Sequence, residues 1–297
     1  MPLLAPRRAW TLGAALAAAT LTTGVRLESA HAALTSATRF VRSPDGVRIA
    51  YEVHGNGSQA LVFVHGWSCD RSYWRGQVDA FAPHYTVVTL DLAGHGESGL
   101  GHTGSWSIQA FGGDVAAVVK HLRLTNVILI GHSMGGDVVT EAARQLPGRV
   151  SALIWVDTYK QLRTARSPAQ VDSFVAPFRA DLRRATQRFV RGMFVPTSDS
   201  ALVERTATAM SSAHPQVAIG ALESALGYSR EIRRALAAIR LPVIAINADN
   251  APTDTASLRE HGVDVAIMHG VGHFMMLEDP KRFNDLLDGA ITSLTDD

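Results

Sequence analysis

The sequence predicts an α/β fold: a mostly parallel sheet with helices on both faces, interrupted by an inserted helical cap. Three observations carry this. Residues 38–54 alternate around Pro44-Asp45-Gly46, the pattern of an antiparallel hairpin. Short apolar runs then alternate with stretches of helical period, the pattern of repeated strand–helix units and a parallel sheet. The alternation stops over residues 158–240, where helical patterns continue without a strand, and it resumes at Pro242.

Taken in order, Arg39-Phe40-Val41-Arg42 and Val47 to Val53 form the expected hairpin, and Asn56-Gly57 marks a second turn. Ala60-Leu61-Val62-Phe63-Val64 is wholly apolar, as a strand covered on both faces must be. Arg71 to Phe81 reads as a helix and Tyr85 to Leu90 as a strand. Ser107 to Leu122 is a second helix, with Phe111, Val115, Val118 and Leu122 on one side. The strand 127–130, the helix 134–146 and the strand Val150 to Val156 follow. After the insertion come a strand at Pro242 to Ile246, a short helix near 254–261, the strand Val263 to Met268 and a last helix from Pro280. Asp279 suits the cap of that helix and Pro280 its first turn. The insertion leaves and re-enters the sheet at the edge where open α/β sheets bind ligands, so it is expected to cover the site as a lid or cap.

The N-terminus reads as an export signal rather than fold. Arg7-Arg8 precede an uncharged stretch from Ala9 to Val25, and Ala30-His31-Ala32 supplies an A-x-A cleavage pattern. Arg7-Arg8 followed by Ala9-Trp10 also resembles a twin-arginine signal. The expected organisation is therefore a signal at 1–32, a core at 33–157 and 241–297, and the cap at 158–240. The product is expected to be periplasmic or extracellular, with no stable membrane span after cleavage. The whole chain has 46% hydrophobic and 19% charged residues and a net charge of +1. That composition fits a packed globular core and gives no nucleic-acid signature. Cys69 is the single cysteine, so no internal disulfide is available, and it reads as structural.

Val127 to Ile130 leads into Gly131-His132-Ser133-Met134-Gly135-Gly136 and then into a helical face of Met134, Val138, Ala142 and Leu146. A serine in a glycine-lined strand–helix turn is the context of a nucleophile elbow. Three other strand ends carry marked sequences: His65-Gly66-Trp67, Asp91 through Ser98 (D-x-x-G-H-G-x-S), and Gly272-His273-Phe274. Together, from about residue 38 to 294, these motifs make the chain similar to the α/β-hydrolases, in the serine-nucleophile, esterase- or lipase-like branch with a helical cap.

The resemblance implies roles residue by residue. Ser133 is the expected nucleophile; a serine at the elbow argues for acyl transfer, where an aspartate would imply dehalogenase or epoxide hydrolase chemistry. A serine hydroxyl needs a base, and His273 is the expected one, with His269 as its rival. His132 is expected to point away from the serine, and His65 and His95 to be structural. The acid departs from the usual family pattern, because Ala251 stands where it is expected. Asp157, at the end of the preceding strand, is the favoured replacement; Asp249 and Asp254 are alternatives. The oxyanion hole is expected from the main-chain N–H groups of Trp67 and Met134. No metal or organic cofactor is called for, since no ligand cluster or phosphate loop stands out. In the cap, Val171, Phe174, Phe178, Leu182, Phe189 and Met193 share a face opposite Arg179, Arg183, Arg184, Arg188 and Arg191. The reading is an exported hydrolase of small to medium apolar carboxylic esters. C–C hydrolase, lactonase and cofactor-free haloperoxidase-like activities are alternatives, with a binding or receptor protein as a further one.

Overall fold

The computed structural model describes residues 37–295; the expected signal at 1–32 lies outside them. An eight-stranded sheet organises the chain, in the order β1-β2-β4-β3-β5-β6-β7-β8. Its strands are β1 (Arg39–Arg42), β2 (Arg48–His54), β3 (Ala60–Val64), β4 (Thr86–Leu90), β5 (Val127–His132), β6 (Val150–Val156), β7 (Val243–Ala248) and β8 (Val263–Met268). The hairpin β1–β2 joins β4 in antiparallel fashion, and β4 through β8 are parallel.

The helices of the core are α1 (Arg75–Phe81), α2 (Ile108–His121), α3 (Met134–Gln145), α9 (Thr255–Arg259), α10 (Met275–Glu278) and α11 (Pro280–Thr295). Between β6 and β7 run α4 (Pro168–Ala180), α5 (Leu182–Arg191), α6 (Ser200–Met210), α7 (Pro215–Tyr228) and α8 (Ile232–Ile239). The expected helix Arg71–Phe81 begins as a 3-10 turn, Arg71–Trp74, because Asp70 accepts the Ser72 N–H and tightens its first turn.

Register shows that helices cover both faces. Phe63 on β3 pairs with Ile130 and packs against Trp74 and Phe81 of the α1 segment. Trp155 pairs with Gly131, one residue on, and so faces the other way. There its indole N–H donates to Thr140 of α3. β3 and β5 are wholly buried, which explains why they are apolar without alternation.

The D-x-x-G-H-G-x-S stretch is a brace for the strand ends. Asp91 is fully buried and takes the Arg71 guanidinium together with the Arg71 and Glu97 N–H groups. Ser98 Oγ donates to Asp91 O and accepts from Ala50 N. His65 accepts the Leu92 N–H at 3.1 Å, and burial lowers its pKa to about 4, so the ring stays neutral. His95 is lowered to about 3, again chiefly by burial. Both histidines are structural, as their motif suggested.

Candidate active site

β5 runs two residues beyond the expected strand, through Gly131 and His132, so the chain must turn at once to start α3. Ser133 makes that turn at φ 54° and ψ −120°, a conformation that costs a non-glycine residue on the order of 1–3 kcal/mol. The turn holds because no bulk is present around it. A Cβ on Gly131 would stand 2.1 Å from Gly135 O, and one on Gly135 would stand 2.5 Å from Val64 O. The Ser133 N–H donates to Val156 O at 2.8 Å, fixing the elbow to β6.

His273 lies on the loop after β8. Its Nδ1 is 2.6 Å from Asp157 Oδ2. Asp157 ends β6, is 6% exposed and also has a positive φ of 49°. Its Oδ1 accepts the Ala248 N–H at 2.9 Å and the Lys160 ammonium at 2.6 Å. Burial pushes this carboxyl up, but the bond and charge of His273 and then the charge of Lys160 outweigh it and hold the group at about 2. Asp157 is thus a fixed anion beside the ring.

The alternative acids are engaged elsewhere. Asp249 Oδ2 lies 3.1 Å from His269 Nδ1 and its Oδ1 takes the Gly270 N–H, so the rival acid and the rival histidine pair with each other on the surface. The Gly270 N–H and then His269 lower the Asp249 pKa. Asp254 caps α9 through Ser257 N and meets Arg163.

Around Ser133 the main chain is closely placed. Met134 is the first residue of α3, so its N–H has no acceptor within the helix. A Cβ on Gly66 would be 3.2 Å from Ser133 Cβ, which puts the segment leading to Trp67 against the serine. Trp67 Nε1 donates to Ala218 O of α7 at 2.7 Å, and its indole packs edge-on against Phe178 and Phe189. Ser133, after β5, and Trp67, after β3, flank the point where the strand order reverses, the usual ligand crevice of an open α/β sheet.

A family model described as the alpha/beta hydrolase family matches residues 61–286. The chain belongs to this family. It is 32% identical over 161 residues to the dihydrolipoyllysine-residue acetyltransferase component of the acetoin cleaving system of Cupriavidus necator, covering 54% of this chain and 41% of that one. The chain therefore spans less than half the length of that relative. It is 27% identical over 247 residues to the pimeloyl-[acyl-carrier protein] methyl ester esterase of Yersinia pseudotuberculosis, covering 78% and 93%. A solved structure of an N-acyl homoserine lactone degrading enzyme superposes with a TM-score of 0.73 at 25% identity, over 84% and 99% of the chains.

In this hydrolase-family chain, Ser133, His273, Trp67 and Met134 line one cavity of about 720 Å³, a size suited to a small organic ligand. Phe174, Phe189 and Met193 of the insertion form part of its wall, while Arg183, Arg184 and Arg188 face solvent, so the apolar face turns inward as its spacing suggested. No hydrogen bond joins Ser133 to the His273 ring among the described residues; such contacts often tighten only around substrate. No helix among the described residues is long and apolar enough to cross a membrane.

The insertion also grips the His273 loop. His273 N donates to Met193 O at 2.9 Å, and Phe194 stacks on Phe274 with centroids 5.0 Å apart. Glu278 accepts the Gly272 N–H and the Ser198 hydroxyl.

Two contributors were not foreseen. Lys160 carried a signal, a basic residue three past Asp157, but its partner depends on the loop's path. His132 was expected only to point away from Ser133, and its contact with the His273 loop was not read from the sequence. Its Nε2 is 2.9 Å from His273 O and its ring lies 4.6 Å from the His273 ring. Burial, then the His273 charge, lower its pKa to about 3, so it acts as a neutral donor under the loop.

Proposed function

We propose that this protein is an exported serine hydrolase that cleaves carboxylic esters of small to medium, largely apolar substrates. The 2.6 Å contact of buried Asp157 with Nδ1 of His273, which lines one cavity with Ser133 at a strained elbow, is the observation that carries this reading. Ser133 Oγ attacks the ester carbonyl while His273 Nε2 takes its proton. Asp157 keeps the proton on Nδ1 and stabilises the imidazolium as it forms. The Met134 and Trp67 N–H groups receive the oxyanion. His273 then protonates the departing alkoxide. Water, deprotonated by His273, releases the acid from Ser133. Residues 158–240 act as the cap that closes the acyl pocket. The similarity to a methyl ester esterase supports an ester as the bond broken; similarity to a lactone degrading enzyme favours lactones as a second substrate class.

A fluorophosphonate probe and a panel of p-nitrophenyl esters of graded chain length test this. Covalent labelling and turnover are expected from the wild type; a protein that does neither is not a serine esterase. For export, the N-terminal residue of protein recovered outside the cytoplasm is expected to be Ala33, and recovery of an intact Met1 chain from the cytoplasm alone would contradict it.

Lys160 gives a pH prediction. Its ammonium shares Asp157 with the His273 ring and so weakens the carboxylate's pull on the imidazolium. In Lys160→Met that competition is gone, the imidazolium is more stable, and higher pH is needed to free the base. The acidic limb of kcat/KM is expected to move up by roughly 0.5–1 pH unit. A downward shift would show that Lys160 does not act through Asp157.

A further inference from the structure

The cavity wall contains one acid whose hydrogen bonding is incomplete. Asp137 lies in the first turn of α3, four residues past Ser133 at the N-cap and about 6 Å further along the axis. It lines the cavity and is 5% exposed. Its Oδ1 accepts the Tyr159 hydroxyl at 2.6 Å, and Tyr159 lines the cavity too. Its Oδ2 accepts nothing from the described residues. Glu141, one turn further on, differs: Arg144 and Tyr228 both donate to its Oε2, the arginine supplies an opposite charge, and it does not line the cavity. Lys160, the nearest cation on that wall in sequence, is engaged by Asp157 and Ala248 O.

Burial pushes the Asp137 carboxyl up to about 8 against the opposing Tyr159 bond, so near neutrality it is largely an un-ionised acid. Tyr159 is held as a phenol by burial and by Asp137. A buried carboxyl without a cation is costly unless something completes its hydrogen bonding. Phe174, Phe189 and Leu226 make much of the remaining wall apolar. An anion there would meet a carboxyl, and an ammonium would lose its water for a single, mostly neutral partner.

We propose that Asp137 and Tyr159 form a polar subsite that hydrogen-bonds an uncharged hydroxyl or amide on the substrate, in the cavity that Ser133 also lines and about one helical turn along α3 from it. This rests on the ester-hydrolase reading and narrows its substrate: an acyl or alcohol chain that is apolar except for one hydrogen-bonding group a few bonds from the scissile carbonyl.

The test compares p-nitrophenyl esters of N-acetyl-β-alanine and N-acetyl-4-aminobutyrate with their isosteric alkyl esters, hexanoate and heptanoate. The readout is the kcat/KM ratio of amide to alkyl ester within each variant, so it does not depend on the folded fraction. For at least one chain length the wild type is expected to favour the amide by about tenfold. In Asp137→Leu the ratio is expected to fall to about one or below, and in Tyr159→Phe to an intermediate value. Should the buried leucine prevent folding, Tyr159→Phe carries the same readout. The subsite is overturned if the wild type shows no amide preference at either length, if the variants keep the wild-type ratio, or if the 6-aminohexanoate ester is preferred over both amides. Failure to turn over even the alkyl esters overturns the hydrolase reading, and the subsite with it.

Discussion

Asp157→Asn is expected to lower kcat by about four orders of magnitude, whereas Asp249→Asn changes it by less than about twofold. The carboxylate of Asp157 accepts from three donors at once: His273 Nδ1, the Ala248 N–H and Lys160. An asparagine has one acceptor oxygen. With that oxygen retained by Ala248 N and Lys160, its NH2 turns toward the ring and favours the tautomer with hydrogen on Nε2. That ring can no longer take the Ser133 proton. Asp249 serves His269 and Gly270 on the surface, so its loss disturbs only a local turn. Steady-state turnover of a p-nitrophenyl ester by both variants decides the assignment; comparable losses in the two would reject Asp157 as the acid.

Ser133→Ala is expected to remove fluorophosphonate labelling and to reduce kcat by on the order of 10⁶, leaving what the oxyanion donors and binding alone provide. Its stability should stay near that of the wild type, because alanine carries the same penalty at φ 54° as serine. Ser133→Gly removes the penalty along with the nucleophile. It is expected to melt higher than Ser133→Ala by the equivalent of about 1 kcal/mol. Thermal melts of the two variants measure the strain at the elbow in excess of the roughly 0.4–1 kcal/mol that glycine costs through the unfolded chain, and a lower melting point for Ser133→Gly would show that the strain does not exceed it.

Much of the fold is legible in the sequence because its signals are local. β3 and β6 match their apolar runs end to end, and Asp279 caps α11 through Arg282 N as its place before Pro280 suggests. α10 has four residues, too few for any period to register. In the site, Ser133 and His273 stand out because an elbow and a glycine-flanked histidine have local signatures. Asp157 needed the further inference that neighbouring strand ends can exchange the acid's position. His132 meets His273 across 141 residues, and Asp137 meets Tyr159 across 22. Such contacts depend on how α3 and the loop after β6 are placed, and no spacing rule encodes that.

The contacts between segment 193–198 and the His273 loop bear on modularity. Because Met193 O holds the histidine's own backbone N–H, the insertion is not a detachable accessory. Excising 158–240 would release the His273 backbone. Transplanting the insertion from another family member would exchange pocket walls safely only with the graft boundaries drawn inside it, leaving Met193 through Ser198 native. The portion that serves only as cavity wall is thus smaller than the insertion, and segment 193–198 packs as part of the core.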